Sequence, residues 1–199
     1  PKMLDFNPVS GAYVKGIVPI TATILTSQIK DWKVQVNGQD IPNNSGTTTA
    51  VSVNWDTSNI DTDGPQTITI TVRDMGLNTI TQTINVTLDR LPPSIAVQFP
   101  RADTPITLHT KVPFIVDVSD ASTQSVSIFG IDVILTDMSH NFLRRVTRES
   151  VTTSGSKTLR WIGRIRAAVT LPHQFILQVT AVDKAGNAAL QQQIILTTN

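Results

Sequence analysis

TVRDMGLNTITQTINVTL (residues 71–88) and TAVDKAGNAALQQQIILT (residues 180–197) share one pattern: an Asp and an Asn four residues apart, between runs in which apolar and polar residues alternate. The aspartates are 183 − 74 = 109 residues apart, and the asparagines are separated by the same 187 − 78 = 109. Equal spacing of two residue types indicates an internal repeat. Alternation with a period of two predicts that each copy is a β-hairpin with one buried face.

The same comparison extends toward the start of each copy. A strand ending near a Trp precedes the hairpin each time, at Trp55 and Trp161, and a Val-Pro pair opens an earlier strand at Pro19 and Pro113. The prolines are 113 − 19 = 94 residues apart, so 109 − 94 = 15 residues are inserted in the second copy. Most of the insertion falls in residues 128–150, where we expect a longer hairpin with DMSHN as its turn.

Composition agrees with folded β-structure. The chain has 199 residues, of which 40% are hydrophobic, and Glu149 is its only Glu, whereas β-branched residues are abundant. The absence of cysteine excludes a disulfide scaffold, thiol catalysis and zinc–thiolate sites. No apolar run approaches the about 20 residues of a membrane span, and neither a signal peptide nor a starting Met is present. We therefore expect a piece of a longer protein, without membrane insertion of this piece.

Two domains follow from the repeat. The pair Pro92–Pro93 cannot continue a ladder and keeps the preceding residue extended, so the linker is predicted at about residues 89–93 and the domains at 1–90 and 91–199. Each would hold about seven short strands with Gly, Asn, Asp and Ser turns, which is typical of a two-sheet sandwich with Greek-key connections. DMGLN places its Gly one position earlier than DKAGN, so the two turns are expected to differ in geometry.

These residues resemble the bacterial immunoglobulin-like (Big-type) domains that are repeated along surface and secreted proteins. The family's typical ending runs W-D-T…G-x-(H/Y)-T-(L/I)-T-V-x-A-x-D-x-A-G-N, followed by a linker like V-D-x-x-x-P. WDTSNIDTDGPQTITITVRD (55–74), TAVDKAGN (180–187) and LDRLPPSI (88–95) follow it, whereas WIGRIRAAVTLPHQ (161–174) departs from it. The resemblance implies an all-β fold of two tandem immunoglobulin-like Greek-key β-sandwiches.

The resemblance also implies a non-catalytic role at the cell surface or outside the cell. Such repeats mostly act as spacers, with the other domains of the same long protein as their partners. Some units bind Ca²⁺ where consecutive domains meet, which makes Asp74, Asn78 and Asp89 the candidate oxygen ligands here. Arg90 follows Asp89 directly and opposes a nearby cation, so both outcomes stay open.

No catalytic constellation is found. The three histidines, His109, His140 and His173, lack the spacing of metal ligands. The sequence contains no nucleophile elbow, no phosphate-binding loop and no dinucleotide-binding fingerprint. We predict that the chain is not an enzyme and needs no cofactor apart from the Ca²⁺ left open above. SNIDTDGPQ (58–66) imitates the start of an EF-hand loop, but Ile70 occupies the position that requires a bidentate Glu, so an acidic turn between strands is expected instead.

Basic residues distinguish the second copy: residues 101–199 carry ten Lys and Arg against seven acids, and residues 1–100 carry six against eight. Alternation in TLRWIGRIR (158–166) places Arg160 and Arg164 on one face, and NFLRRVTRES (141–150) places Arg144 and Arg148 on one side of its strand. If both strands share a sheet, these guanidiniums form an exposed face able to bind an anionic glycan, a lipid headgroup or an acidic protein. A solvated set of edge charges is the alternative. Nucleic acid is not expected, because no aromatic residues are interleaved for base stacking.

Three functions therefore compete. The first is a structural spacer or presenting module of a surface or secreted adhesin-like protein, in which a short Pro-Pro linker limits bending. The second is an adhesive module that binds a cell-surface glycan or protein through Arg144, Arg148, Arg160 and Arg164. The third is a pair of accessory domains of a secreted carbohydrate-active enzyme.

Overall fold

The computed structural model of the chain describes residues 1–199 apart from residues 27, 103, 108, 121–127, 150–156, 164–172 and 199. The regular structure of the described residues consists of β-strands and one short 3₁₀ helix, Thr57–Asn59. The predicted all-β class is thereby confirmed. The chain divides into two units, Pro1–Arg90 and Leu91–Asn199.

The first unit consists of two sheets. Its strands are β1 (Lys2–Asn7), β2 (Tyr13–Val14), β3 (Ile17–Leu25), β4 (Ile29–Val36), β5 (Gln39–Gly46), β6 (Ala50–Asp56), β7 (Gly64–Asp74) and β8 (Thr79–Leu88). One sheet has the order β1-β3-β6 and the other β2-β8-β7-β4-β5. All pairs are antiparallel except β2 with β8.

The second unit repeats this arrangement. Its strands are β9 (Ser94–Phe99), β10 (Pro105–Ile106), β11 (Val112–Ser119), β12 (Ile128–Thr136), β13 (Phe142–Glu149), β14 (Lys157–Gly163), β15 (His173–Asp183) and β16 (Gln192–Thr198). The sheet orders are β9-β11-β14 and β10-β16-β15-β12-β13, so each strand occupies the place of the strand eight numbers earlier. Here β12 and β13 form the hairpin predicted around DMSHN.

Alternating side chains explain why these strands pack as two layers. Ile68, Ile70 and Val72 of β7 are fully buried, and they share one core with Ile20 of β3 and Trp55 of β6 from the other sheet. Each such side chain contributes about 1.5–3 kcal/mol when it is fully buried. In the second unit, the equivalent core combines side chains of β11 and β15 (Phe114, Val116, Val118, Phe175, Leu177 and Val179).

Both repeated prolines lie inside a central strand and not at a sheet edge. Pro19 is the third residue of β3, but β1 ends with Asn7 opposite Thr21, so the ladder on that side stops before the proline. The Asn7 side-chain amide donates instead to the Pro19 carbonyl at 2.8 Å. Because no strand pairs with β3 on that side at this point, the missing proline N–H leaves no acceptor unsatisfied.

Among the residues that the structure describes, the Asp-x-x-x-Asn turn occurs three times, at Asp74–Asn78, Asp137–Asn141 and Asp183–Asn187. In each copy the Asp carboxylate accepts the Asn backbone N–H and the Asn side-chain amide, at distances of 2.7–2.9 Å. The Asp N–H donates to the Asn carbonyl in all three. These bonds close the hairpin after its last ladder pair, which explains the repeated spacing.

A left-handed residue precedes the Asn in every copy. It is Leu77 with φ 63°, His140 with φ 64° and Gly186 with φ 82°. The expectation that DMGLN and DKAGN differ in turn geometry is therefore wrong: both use one turn, and Leu77 accepts the positive φ although Gly76 is adjacent. The closing bonds hold Leu77 in a conformation that costs a residue with a Cβ roughly 1–2 kcal/mol.

Replacing Leu77 by Gly should stabilise the first unit by about 0.5–1 kcal/mol, because the left-handed strain exceeds the extra chain entropy that glycine loses. Leu77 is 65% exposed, so little buried apolar area is lost. Urea denaturation followed by amide signals of the first unit measures the change. The reciprocal variant Gly186→Leu should destabilise the second unit, and a destabilised Leu77→Gly protein would contradict the assignment.

Candidate functional site

The predicted calcium ligands Asp74 and Asn78 are bonded to each other. Both carboxylate oxygens of Asp74 accept hydrogen bonds from Asn78, one from the side-chain amide and one from the backbone N–H, each at 2.9 Å. The Asn78 side-chain amide holds the pKa of the Asp74 carboxyl below its usual value, and the Asn78 N–H acts in the same direction. Turn closure therefore already uses both carboxylate oxygens.

The third predicted ligand, Asp89, lies at the other end of β8. Asn78 directly precedes that strand and Asp89 directly follows it, and the ten residues between them span roughly 33 Å at about 3.3 Å per residue. The structure therefore does not bring Asp74 and Asn78 together with Asp89, and the three cannot ligate one ion. Asp89 itself is buried, and its N–H donates to the Val14 carbonyl at 3.0 Å.

Arg90 was expected from the sequence to oppose a cation near Asp89. In the structure it is paired with Asp63. Its Nε donates to one carboxylate oxygen of Asp63 at 2.6 Å, and its backbone N–H donates to the other at 2.8 Å. The acidic turn SNIDTDGPQ thus supplies the carboxylate that neutralises this arginine. Asp63 therefore pairs with Arg90, the last residue of the first unit, as a structural carboxylate.

Sequence reasoning missed a pair of buried carboxylates in the second unit. Oxygens of Asp120 and Asp183 lie within 4.8 Å of one another, and Asp183 is only 2% exposed. Asp183 also accepts both Asn187 turn bonds at 2.7 Å. Two buried carboxylates at this distance repel each other, so the arrangement favours an opposite charge beside them.

The sequence contains a signal for this pair. Applying the 94-residue offset of the prolines to Asp120 gives 120 − 94 = 26, and residue 26 is Thr. The second unit therefore has an acid where the first has a neutral residue, next to the strand end of β11. Only the three-dimensional structure shows that the end of β11 and the end of β15 meet.

The predicted arginine face is not assembled on one sheet. Arg144 and Arg148 lie on β13, the outermost strand of the five-stranded sheet, whereas Arg160 lies on β14 in the three-stranded sheet. Arg160 is exposed. Arg164 lies outside the described residues. The expectation that these strands share a sheet is therefore wrong for Arg144, Arg148 and Arg160.

A register shift also breaks the alternation on which the prediction for β13 depended. Ile134 is opposite Arg145, but Val133 is opposite Thr147, so the pairing of β12 with β13 skips one residue between Arg144 and Arg148. A shift of one residue exchanges the faces of a strand, and such bulges are not visible in the sequence. The alternation therefore no longer predicts that Arg144 and Arg148 lie on the same side of β13.

Comparison with known proteins bears on the fold. No family model matches the chain, and no curated protein matches it. Among solved structures, the chain is similar to the fibronectin(III)-like modules of Clostridium thermocellum CbhA, with 11% identity and a TM-score of 0.62, over 100% of this chain and 94% of that one. It is also similar to the chicken CNTN1 FN1–FN3 domains, with 11% identity and a TM-score of 0.50, over 98% of this chain and 65% of that one.

A weaker similarity joins the chain to a tetra-tandem repeat in the extending region of a large adhesion protein, with 17% identity and a TM-score of 0.41, over 100% of this chain and 48% of that one. The fold predicted from the repeat, tandem immunoglobulin-like β-sandwiches, is confirmed by the two stronger similarities. Across the described residues, no helix has the length and apolarity to cross a membrane.

Protonation of Asp74 should destabilise the first unit in acid. Its folded-state pKa is lowered, so the stability it contributes is present above the unfolded value near 3.9 and is lost as the pH falls through the lower folded value. Asp74→Asn should therefore be less stable than the wild type at pH 7, and the difference should shrink below about pH 4. Urea denaturation at several pH values, with amide signals of the first unit, measures it.

Asn78→Ala is the matched variant for this experiment. It removes the side-chain bond that lowers the Asp74 pKa but leaves the carboxylate in place. Its stability deficit should shrink in acid in the same way. A pH profile of either variant that runs parallel to the wild type between pH 7 and about 3 would contradict the assigned role of the bond.

Proposed function

We propose that the chain is a non-catalytic structural module, a spacer or presenting module of a bacterial cell-surface or secreted adhesin-like protein. It works outside the cell, and its partners are the other domains of the same protein. The proposal is supported above all by the hydrogen bonds that the repeated Asp and Asn residues make. In all three turns, the Asp and the Asn bind each other and close a hairpin.

Repetition of these residues therefore preserves architecture. A residue repeated for catalysis would keep its functional group directed at a substrate, whereas here each carboxylate accepts the hydrogen bonds of its own turn. The similarity to fibronectin(III)-like modules over 100% of this chain supports the same reading at the level of the fold. A β-sandwich with fixed turns keeps its length under load, which is what a spacer requires.

The adhesive alternative depends on Arg144, Arg148, Arg160 and Arg164 and is tested directly. We would measure binding of the purified chain to anionic and neutral glycans at low and at physiological salt, beside a variant with all four arginines changed to Gln. A spacer predicts no saturable binding at 0.15 M salt, where the Debye length is about 8 Å and scattered charges are screened. Saturable binding that survives this salt and disappears in the variant would replace the spacer by an adhesive module.

A charge-matched control removes the same net charge elsewhere. Lys2, Lys15, Lys30 and Lys111 are exposed, and changing these four to Gln lowers the net charge as much as the arginine variant does. Loss of binding in both variants would indicate nonspecific attraction and would leave the spacer proposal standing. Loss in the arginine variant alone would contradict it.

Calcium binding by the second unit is a second candidate, favoured by the paired carboxylates of Asp120 and Asp183. Hard cations prefer carboxylate and carbonyl oxygens, and both side chains are buried acids. Each Asp183 oxygen accepts one turn bond from Asn187 and keeps a second lone pair for a cation. Backbone carbonyls and water would have to complete the six to eight ligands that Ca²⁺ takes.

Calcium should raise the unfolding free energy of the second unit by about 2.7 kcal/mol at a concentration 100 times Kd. Thermal unfolding with Ca²⁺, Mg²⁺ or EDTA measures the shift. Asp120→Asn should abolish it, whereas Asp137→Asn, a control within the same unit at an exposed turn, should retain it. An unchanged Tm at millimolar Ca²⁺ would exclude calcium as the opposite charge.

A further inference from the structure

A cleft of about 420 Å³ opens in the first unit between β5 and β6. These are the outermost strands of the two sheets, so the cleft lies where the sandwich has an open side. Its walls come from the β4–β5 hairpin on one side, and from the end of β6 and the 3₁₀ helix on the other. Ligand sites in proteins usually have volumes of about 300–1,000 Å³, which places this cleft among sites for small ligands.

The shape of β5 produces the opening. Lys33 of β4 is opposite Ser45, and Gln35 is opposite Asp40, so residues 41–44 of β5 face only one residue of β4. Pro42 in this segment has no N–H to donate, and Asn43 has a positive φ of 53°. The strand therefore bulges away from its neighbour and forms one wall of the cleft.

Backbone groups of β6 border the cleft on the other side. Thr57 N–H donates to the Gly16 carbonyl at 3.0 Å, and Asp56 is registered opposite Ile17. In an antiparallel pair, this arrangement directs the N–H and C=O of Asp56, and those of Asn54 two residues earlier, away from β3. Since β6 is the outermost strand of its sheet, these groups are directed toward its open edge.

The cleft is acidic. Asp40 and Asp56 both line it, and none of the described lining residues is basic. A hydrogen bond from Lys33 lowers the pKa of the Asp40 carboxyl, and the backbone N–H of Ser58 lowers that of Asp56. Lys33 lies 2.7 Å from Asp40 and offsets part of its charge, so Asp56 is the stronger attractant for a cation.

The remaining lining combines apolar surface with exposed amides. Trp55 is 2% exposed and forms the base with Val36, while Ile41, Pro42 and Ile60 are the apolar walls. The four amide side chains are exposed, and one of them, Asn37, is bonded to Gln66 and Thr67 (the others are Gln39, Asn54 and Asn59). Each amide offers two donors and an acceptor, which suits a ligand with several hydroxyl groups.

We propose that this cleft binds an amino sugar, with its ammonium group at Asp56 and Asp40, its hydroxyls on the amides and the edge of β6, and its apolar ring face on Ile41 and Pro42. An alkylammonium ligand such as a lysine side chain would use the carboxylates and the apolar walls but would leave the amides to water. A neutral sugar would use the amides but would bring no positive charge to Asp56, whose bond from Ser58 N–H leaves its negative charge in place. An amino sugar engages all three kinds of lining group. This activity goes beyond the proposed spacer role and does not depend on it.

The test is a titration of the full chain by ¹⁵N chemical shifts with the fully deacetylated glucosamine disaccharide, its N-acetylated counterpart and cellobiose. The expected result is saturable shifts at Asn54, Asp56 and Ile41 with the charged disaccharide, and affinity at least about tenfold lower for the two neutral sugars, which lack the charge-assisted bond. Equal binding of all three sugars, no saturation at millimolar concentration, or shifts confined to other residues would overturn the proposal.

Asp56→Asn should weaken binding of the charged disaccharide by at least about tenfold, and it preserves the cap of the 3₁₀ helix because Asn caps about as well as Asp. Asp31→Asn is the matched control, because Asp31 is a carboxylate of the same unit, paired with Arg73 and absent from the cleft lining. Equal loss in both variants would overturn the assignment.

A further arm uses Nα-acetyl-lysine methylamide. Binding of this compound as tight as that of the charged disaccharide would show that an ammonium group alone is recognised, and would overturn the sugar assignment. Neither outcome bears on the arginine variant of the second unit, so failure here and failure of the spacer proposal are distinguishable.

Discussion

Ile68, Ile70 and Val72 are fully buried on one face of β7, and the threonines between them are half-buried on the other. A shift of this strand by one residue would expose all three side chains, so its register is strongly fixed. Because β7 pairs with β4 on one side and β8 on the other, its register determines theirs. The packing of this sheet against the other one follows from the same alternation, because it directs the apolar side chains of β7 into the shared core.

The two units share this framework and differ at its margins. Equivalent strands carry equivalent core positions, but β5 bulges at residues 41–44 and creates a cleft, whereas the second unit has Asp120 at the end of β11. Core positions tolerate little change, because packing density and register couple each side chain to its neighbours. Edges and strand ends are less constrained, so chemical differences between repeats accumulate there.

Local periodicity was sufficient to predict the repeat, the strands of each hairpin and the fold class. The reason is that a half-buried strand alternates apolar and polar residues, and this alternation is visible in neighbouring positions of the sequence. Features that depend on pairing between distant residues were not predictable. The bulge in β13 interrupts the alternation between Arg144 and Arg148, and the division of β13 and β14 between two sheets places Arg160 on another sheet than both. By contrast, the length of β8 was predictable from its alternation. At about 3.3 Å per residue, that length is enough to show from the sequence that Asp74 and Asp89 lie too far apart to share an ion.

Within the described part of the chain, each unit has one parallel pair of strands, and this pair has a mechanical consequence. In the first unit, β2 lies near the beginning of the unit and β8 at its end. The two are joined by Gly11 N–H to Asn85 O, Thr87 N–H to Ala12 O and Asp89 N–H to Val14 O at 2.7–3.0 Å. Tension that pulls the two ends apart draws parallel strands past each other, so these bonds are sheared together and do not open one after another. The β10–β16 pair repeats this arrangement in the second unit. Each unit thus resists extension through a clamp formed by its second and last strands, and the clamp is strong because these two strands are parallel.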